Sequence, residues 1–389
     1  MPEEIVLLSG VRTAIGKFGG ALKDVSACQL GATVVREAIV RAGISPHEVQ
    51  EVIMGNVLST GLGQNPARQA AVLGGVPVGA GALTVNKVCG SGLKAIMIAA
   101  QSIRAGDADL IVAGGMENMS AVPHLLRELR WGIKTGTAQI HDVLLCDGLM
   151  DAYHHYHMGI TGERIAKKYG ITRAAADEFA LESQQRALAA ERNGLFDQEI
   201  VKVDAQGQLF FRDECLRKDS SLEKLASLEP VFQNEGILTA GNSSKLSDGA
   251  AALVLASASK AARLGIRPLA KISSYAISGT DPEDVMEAPV PAVRRLLRDT
   301  GLTIAELDLI EHNEAYASAS LAVARELDIN RSKLNVHGGA IALGHPIGCS
   351  GARILVTLLH ALINRRLTRG LATLCMGGGN GLALIIERE

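Results

Sequence analysis

Aromatic residues make up only 3% of this 389-residue chain, and it holds a single Trp. Rows of base-stacking platforms are therefore not expected. Charge of one sign is also lacking: 39 Lys and Arg stand against 41 Asp and Glu, a formal net charge of −2. A protein that coats nucleic acid needs a basic face, so nucleic-acid partners are not expected either. No apolar run approaches the roughly 18 residues of a spanning helix, so no membrane segment is expected. The cysteines Cys28, Cys89, Cys146, Cys215, Cys349 and Cys375 are scattered and form no CxxC pair. A disulfide framework and a metal cluster are both poor readings of that spacing. The opening Met1-Pro2-Glu3-Glu4 is acidic where a signal peptide begins basic, and Glu387-Arg388-Glu389 is no peroxisomal address, so the expected location is the cytoplasm.

Hydrophobic residues account for 47% of the chain and Gly for 42 positions. This is the composition of an α/β protein with many tight turns, and the length suggests two to three domains. Ile5–Leu8, Glu51–Met54 and Leu110–Ala113 read as strands. Gln29–Ala42 and Gly92–Ala105 read as helices, the second with Leu93, Ile96, Met97 and Ala100 at helical spacing. Such alternation predicts a largely parallel sheet covered by helices.

The chain also resembles itself. Gly43-Ile-Ser-Pro-His-Glu-Val compares with Gly301-Leu-Thr-Ile-Ala-Glu-Leu, and Ser91-Gly92 before Gly114-Gly115 compares with Ser350-Gly351 before Gly377-Gly378-Gly379. The two offsets, 301 − 43 = 258 and 350 − 91 = 259, nearly coincide, which indicates a duplication whose halves share one site. The stretch between them differs in character. It carries His154-His155-Tyr156-His157-Met158, a charged helical pattern over Arg173–Asn193 and the basic residues Arg212, Arg217, Lys218 and Lys224. The expected organisation is a first half of residues 1–116 plus 247–268, an inserted loop domain at 117–246 and a second half at 269–389.

Five segments bear on chemistry. In Val88-Cys89-Gly90-Ser91-Gly92, a Cys sits where a strand gives way to a helix. There the free N–H groups and the dipole are expected to lower a thiol pKa, although an inert buried Cys is the plain alternative. His345, held in a loop between Gly344 and Pro346, has the setting of a base for such a thiol. His337 competes for that role, and a loop His bonding a carbonyl is the plain reading. Cys375 ends a strand before Gly377-Gly378-Gly379, whose N–H groups can face an oxyanion. A hairpin turn with an incidental Cys explains it nearly as well. Asn313 follows a strand and can hold a water or an ester oxygen, or simply shape a turn. Ser243 and Ser244, in a polar loop returning to the first half, can meet a polar ligand.

Cys89 with its neighbours, Gly114-Gly-Met-Glu-Asn-Met-Ser120, Tyr156-His-Met-Gly159, Asn313-Glu-Ala315, Gly344-His-Pro-Ile-Gly348 and Cys375-Met-Gly-Gly-Gly379 together resemble the motifs of the thiolase family, in order and across the whole chain. The loop Gly61-Leu-Gly-Gln-Asn-Pro66 with His157-Met158 is most similar to the branch that joins two acetyl-CoA into acetoacetyl-CoA. The resemblance implies a layered α/β/α/β/α core of duplicated halves with an inserted loop domain, in a homotetramer built as a dimer of dimers. It implies that Cys89 is acylated and that His345 activates it. His345 and a water held by Asn313 would bind one thioester oxygen. Cys375 would move the proton at the carbon being joined, and the N–H groups of Cys89 and Gly377 would form an oxyanion hole. His157, Met158 and Ser244 match pantetheine contacts, and Arg217 a residue at the nucleotide end. Acetyl-CoA, acetoacetyl-CoA and coenzyme A are then the partners, as substrates rather than a permanently bound cofactor, and no metal is implied.

The sequence departs from the pattern at Tyr316 (usually Phe), Cys349 (usually Ala), His312 and Lys245. Counting back from Pro289 puts Val285 where short-chain members often carry Met; a one-residue gap puts Met286 there. Ketoacyl synthases use Cys with two His, or with His and Asn, and lack a thiol corresponding to Cys375. A metal-binding scaffold built on His154, His155 and His157 lacks completing ligands. A degradative 3-ketoacyl-CoA thiolase of broader chain length is the nearer alternative.

Overall fold

Nine main strands form one mixed sheet, more antiparallel than the largely parallel one expected, in the computed structural model, which describes residues 3–388. They are β1 (Ile5–Thr13), β2 (Glu51–Gly55), β3 (Gly81–Val85), β4 (Leu110–Asn118), β5 (Ser247–Ser257), β6 (Ala270–Gly279), β7 (Leu309–His312), β8 (Arg369–Met376) and β9 (Asn380–Glu387). Their order is β7-β8-β9-β6-β1-β5-β4-β2-β3. Residues of β1, β4 and β5 are buried throughout, as befits strands covered on both faces. The strands predicted from sequence lie within β1, β2 and β4.

The duplication is visible in the pairing. In the first half β1 pairs antiparallel with β5, β5 antiparallel with β4, and β4 parallel with β2. In the second, β6, β9, β8 and β7 repeat that sequence of orientations. The halves meet where Val6 and Leu7 register with Lys271 and Ala270. Helix α1 (Ala27–Ala42) follows β1 and ends at Gly43, φ 68°. Its counterpart, α6 (Pro289–Thr300), follows β6 and ends at Gly301, φ 69°. These are the residues of the first sequence match, and the left-handed cap explains why both are Gly.

Five layers result. Helices α3 (Ser91–Ala105) and α8 (Ile347–Arg365) pack together between the two half-sheets, in a core that includes Leu93, Ile96, Ile111, Leu355, Leu359 and Leu384. On the outer face of the first half lie α1 and α2 (Pro66–Leu73). On that of the second lie α6 and α7 (Ala317–Glu326). Helix α8 corrects one expectation: it is long and apolar enough to cross a membrane. It is almost wholly buried as the middle layer, and that burial accounts for its apolarity.

Between the adjacent strands β4 and β5 the chain makes its long excursion, with α4 (Gly159–Tyr169) and α5 (Arg173–Arg192). The excursion is tied to both halves. Fully buried Arg12 of β1 binds Asp213 through two parallel bonds of 2.7 and 2.9 Å and Glu199 at 2.5 Å. Such planar, paired recognition is what a buried guanidinium needs. On the other side Ser318 of α7 donates to the Gly162 carbonyl of α4 at 2.8 Å. Two half-sheets and an excursion resting on both enclose a cleft.

Candidate active site

That cleft is a cavity of about 600 Å³ lined by Cys89, His345, Cys375 and Gly377, with Met119, Leu149, His157, Met158, Phe232, Ser243, Ser244, Met286 and Tyr316 among its other walls. Residues far apart in sequence meet because the loops before α3 and α8 and after β8 open at the same end of the two half-sheets.

Cys89 sits on a strained turn. Val88 before it has φ 47°, a conformation that a β-branched side chain resists, at a cost of about 1–3 kcal/mol. Ser91 holds the turn: its hydroxyl donates to the Val88 carbonyl at 2.6 Å and accepts from the Lys87 N–H at 2.8 Å. Lys87 in turn reaches Asn380 at 2.6 Å, linking the two halves beneath the thiol. The amide of Gly377 points at the Cys89 sulfur.

His345 is presented by Gly344, whose φ of 112° only Gly adopts readily and whose added Cβ would lie 2.6 Å from the Ser247 hydroxyl. Its Nδ1 lies 2.6 Å from the Ser350 hydroxyl oxygen, and that hydroxyl donates to the Pro346 carbonyl at 2.9 Å. Ser350 therefore accepts, the proton is assigned to Nδ1, and Nε2 carries the free lone pair. Asn313 Nδ2 stands 3.5 Å from Nε2. Asn313 is fully buried, and its Oδ1 meets no donor among the described residues.

The electrostatics overturn one expectation. Burial, foremost, pushes the Cys89 thiol up to about 11 despite the Gly377 amide, so it is not a resting thiolate. Gly90, not Cys89, caps α3. Burial likewise raises Cys375 to about 12 and, with the nearby Arg353 charge, lowers His345 to about 3. At neutral pH the site holds two thiols and a neutral imidazole. Cys375 Sγ lies 3.7 Å from Met286 Sδ. Met286 thus abuts the second thiol, while Val285 is a neighbouring part of the wall.

His337 drops out as a base: it is buried edge-on to Phe196 at 6.0 Å and does not line the cavity. The His154, His155 and His157 group also divides. His154 pairs with Asp151 at 3.1 Å, and His157 stacks on Phe232 at 4.8 Å. His157, Met158 and Ser244 line the cavity, whereas Arg217 is exposed outside the lining. The charge of Arg217 still reaches Lys245 in the wall and, after burial, helps lower it to about 8. Cys349 is a core residue of α8, and His312 is a buried neutral imidazole whose Nδ1 lies 3.0 Å from the Ser320 hydroxyl. Neither faces the cavity.

The motifs gave no role to two buried carboxylates that hold these loops. Glu117 accepts from the N–H groups of Val57, Leu58 and Gly348 and from the Asn56 amide at 2.8–3.2 Å. Glu314 accepts from Ser183, Asn335 and the Ile341 N–H at 2.7–3.1 Å. The available signal was an acid inside a strand otherwise buried end to end, as in Gly115-Met116-Glu117-Asn118, where burial demands partners.

Compared with known proteins, residues 5–259 match the model of the thiolase N-terminal domain, and residues 266–388 that of the thiolase C-terminal domain. The chain belongs to the thiolase family. This thiolase is 53% identical to the acetyl-CoA acetyltransferase of Cupriavidus necator, over 99% of this chain and all of that one. It is 55% identical to the Escherichia coli acetyl-CoA acetyltransferase, over 98% of each. The crystal structure of the Bacillus anthracis acetyl-CoA acetyltransferase superposes with a TM-score of 0.97 at 44% identity, covering 100% of this chain and 99% of that one. The five-layered core of this thiolase is therefore the thiolase fold.

Proposed function

We propose that this thiolase is an acetyl-CoA C-acetyltransferase, joining two acetyl-CoA into acetoacetyl-CoA and coenzyme A, and running thiolysis in reverse. The observation that carries the reading is one cavity lined by two thiols, a neutral imidazole with a free lone pair and an amide aimed at the first sulfur. Full-length relatives bearing that activity in their names support it.

The proton inventory closes. As the Cys89 sulfur bonds to the acetyl carbon, its proton passes to His345 Nε2, and the N–H groups of Cys89 and Gly377 take the developing oxyanion. Coenzyme A leaves with a proton from Cys375, which becomes a thiolate beside an imidazolium. That thiolate removes a methyl proton from the second acetyl-CoA, and His345 Nε2–H with Asn313 stabilises the enolate oxygen. The carbanion attacks the acetyl-Cys89 carbonyl, the Cys89 sulfur departs, and His345 returns its proton. Both thiols end protonated, as they began. Coenzyme A thioesters enter as substrates past His157, Met158 and Ser244, with Lys245 and Arg217 offering positive charge toward the nucleotide end.

Acetoacetyl-CoA is the thiolysis substrate this pocket suits best. Each methylene it fails to seat costs about 1–3 kcal/mol, 10- to 200-fold in kcat/KM. A series of 3-ketoacyl-CoA thioesters is expected to show acetoacetyl-CoA preferred, weak activity a few carbons longer, and recovery of longer chains in Met286→Ala. Preference for medium or long chains in the wild type would place the enzyme with the degradative, broader-range thiolases instead.

The domain organisation proposed is a first half at 1–116 plus 247–268, an insertion at 117–246 and a second half at 269–389. The proposed assembly is a homotetramer, a dimer of dimers. Exposed apolar groups support it: Leu83 on edge strand β3, and Trp131 (87% exposed) and Ile140 (70%) on the excursion. Light scattering is expected to return four times the 40.8 kDa chain mass. A monomer mass at micromolar concentration would refute the assembly.

A further inference from the structure

Tyr316 caps the start of α7, and both its backbone and its ring are held in place. Its backbone bridges Ser243. Its ring stands edge-on to Phe232 at 5.6 Å, and a Cβ placed on Gly162 would come within 2.9 Å of it. The side chain is 8% exposed and faces the cavity that holds both thiols. Burial, foremost, pushes the ionisation of its hydroxyl upward, and the Cys89 and Cys375 sulfurs add to that. Among the described residues the hydroxyl has no hydrogen-bond partner and is not sealed from solvent, so it is open to whatever enters the cavity. The steps above give Tyr316 nothing to do: the thioester oxygens are met by His345 with Asn313 and by the N–H groups of Cys89 and Gly377.

We propose that the Tyr316 hydroxyl is a specificity determinant that sets the polarity of the acyl pocket. It admits acyl chains that stop short of it or present an oxygen acceptor to it, and it rejects apolar chains that reach it. An apolar chain strips the hydroxyl of water and offers no acceptor in return, whereas an ether, keto or hydroxyl oxygen in the chain restores the bond. The class of substrate favoured is therefore a short 3-ketoacyl thioester bearing a further oxygen, over an alkyl chain of equal length. This rests on the thiolase reading above.

The test compares 3-ketohexanoyl-CoA with the isostere in which an ether oxygen replaces its fifth-carbon methylene, after thiolysis of acetoacetyl-CoA by the wild type has been measured. The wild type is expected to show a kcat/KM at least about tenfold higher for the ether. Tyr316→Phe, checked for folding by its melting temperature, is expected to bring the two within about twofold. The wild-type preference needs no variant, so the first arm stands whatever the variant does. Equal use of both isosteres by the wild type, rejection of both, or a preference that Tyr316→Phe leaves in place would overturn the proposal. Failure of the wild type to cleave acetoacetyl-CoA would instead overturn the acetyl-CoA acetyltransferase reading.

Discussion

Cys89→Ala is expected to abolish condensation and thiolysis together, by on the order of 10⁶-fold, while leaving the fold in place. The turn that carries Cys89 is held by Ser91, Lys87 and Asn380, none of which uses the thiol. The half-buried side chain loses one atom at a cavity wall, so stability is expected to change by about 1 kcal/mol or less. In the wild type, incubation with acetyl-CoA should leave an acetyl group on the Cys89 peptide, with ping-pong initial-rate patterns. Near-normal turnover by purified Cys89→Ala would sink the mechanism. The same thiol makes a pH prediction. A group raised to about 11 is protonated at neutrality, and its thiolate fraction grows tenfold per pH unit below that value. Alkylation of Cys89 by iodoacetamide, followed on its peptide, should therefore rise by about 10³ between pH 7 and 10 without levelling. A plateau below pH 8 would reveal a resting thiolate–imidazolium pair and refute the neutral one.

The second large effect separates the two thiols. Cys375→Ser is expected to lose carbon–carbon bond formation and proton exchange at the acetyl methyl by about 10²–10⁴-fold. Cys89 should still acquire an acetyl group in that variant, though more slowly: its sulfur, its Gly377 amide and His345 are retained, and only the proton that Cys375 gives to the departing coenzyme A is lost. The serine hydroxyl replaces a buried thiol that contacts Met286, so the melting temperature must be compared to exclude a packing effect. Methyl-proton exchange at the wild-type rate would move the base elsewhere, with His345 next in line. A loss of acylation equal to the loss of condensation would merge the two roles.

Much of this molecule was legible before any coordinate. Periodicity placed β1, β2, β4, α1 and α3, because long buried segments must follow the period of their element. The repeated Gly43 and Gly301 disclosed the duplication, because a left-handed helix cap tolerates few other residues. Spacing and residue type brought forward Cys89, His345, Cys375 and Asn313. The structure alone decided how these groups are charged. Whether a thiol beside a helix start is lowered by amides or raised by desolvation depends on how much protein surrounds it, and that protein comes from the other half and the excursion. It also chose His345 over His337, since both lie in one glycine-rich stretch and only one faces the cavity. It set Met286 against Cys375, a matter of one residue in register that no single sequence resolves. The anchoring by Glu117 and Glu314 was hidden for the same reason: it consists of bonds between loops dozens to hundreds of residues apart. Sequence determines which groups are present and which element each sits on. Distance, burial and proton position are properties of the packed chain, because each is set by neighbours that only folding supplies.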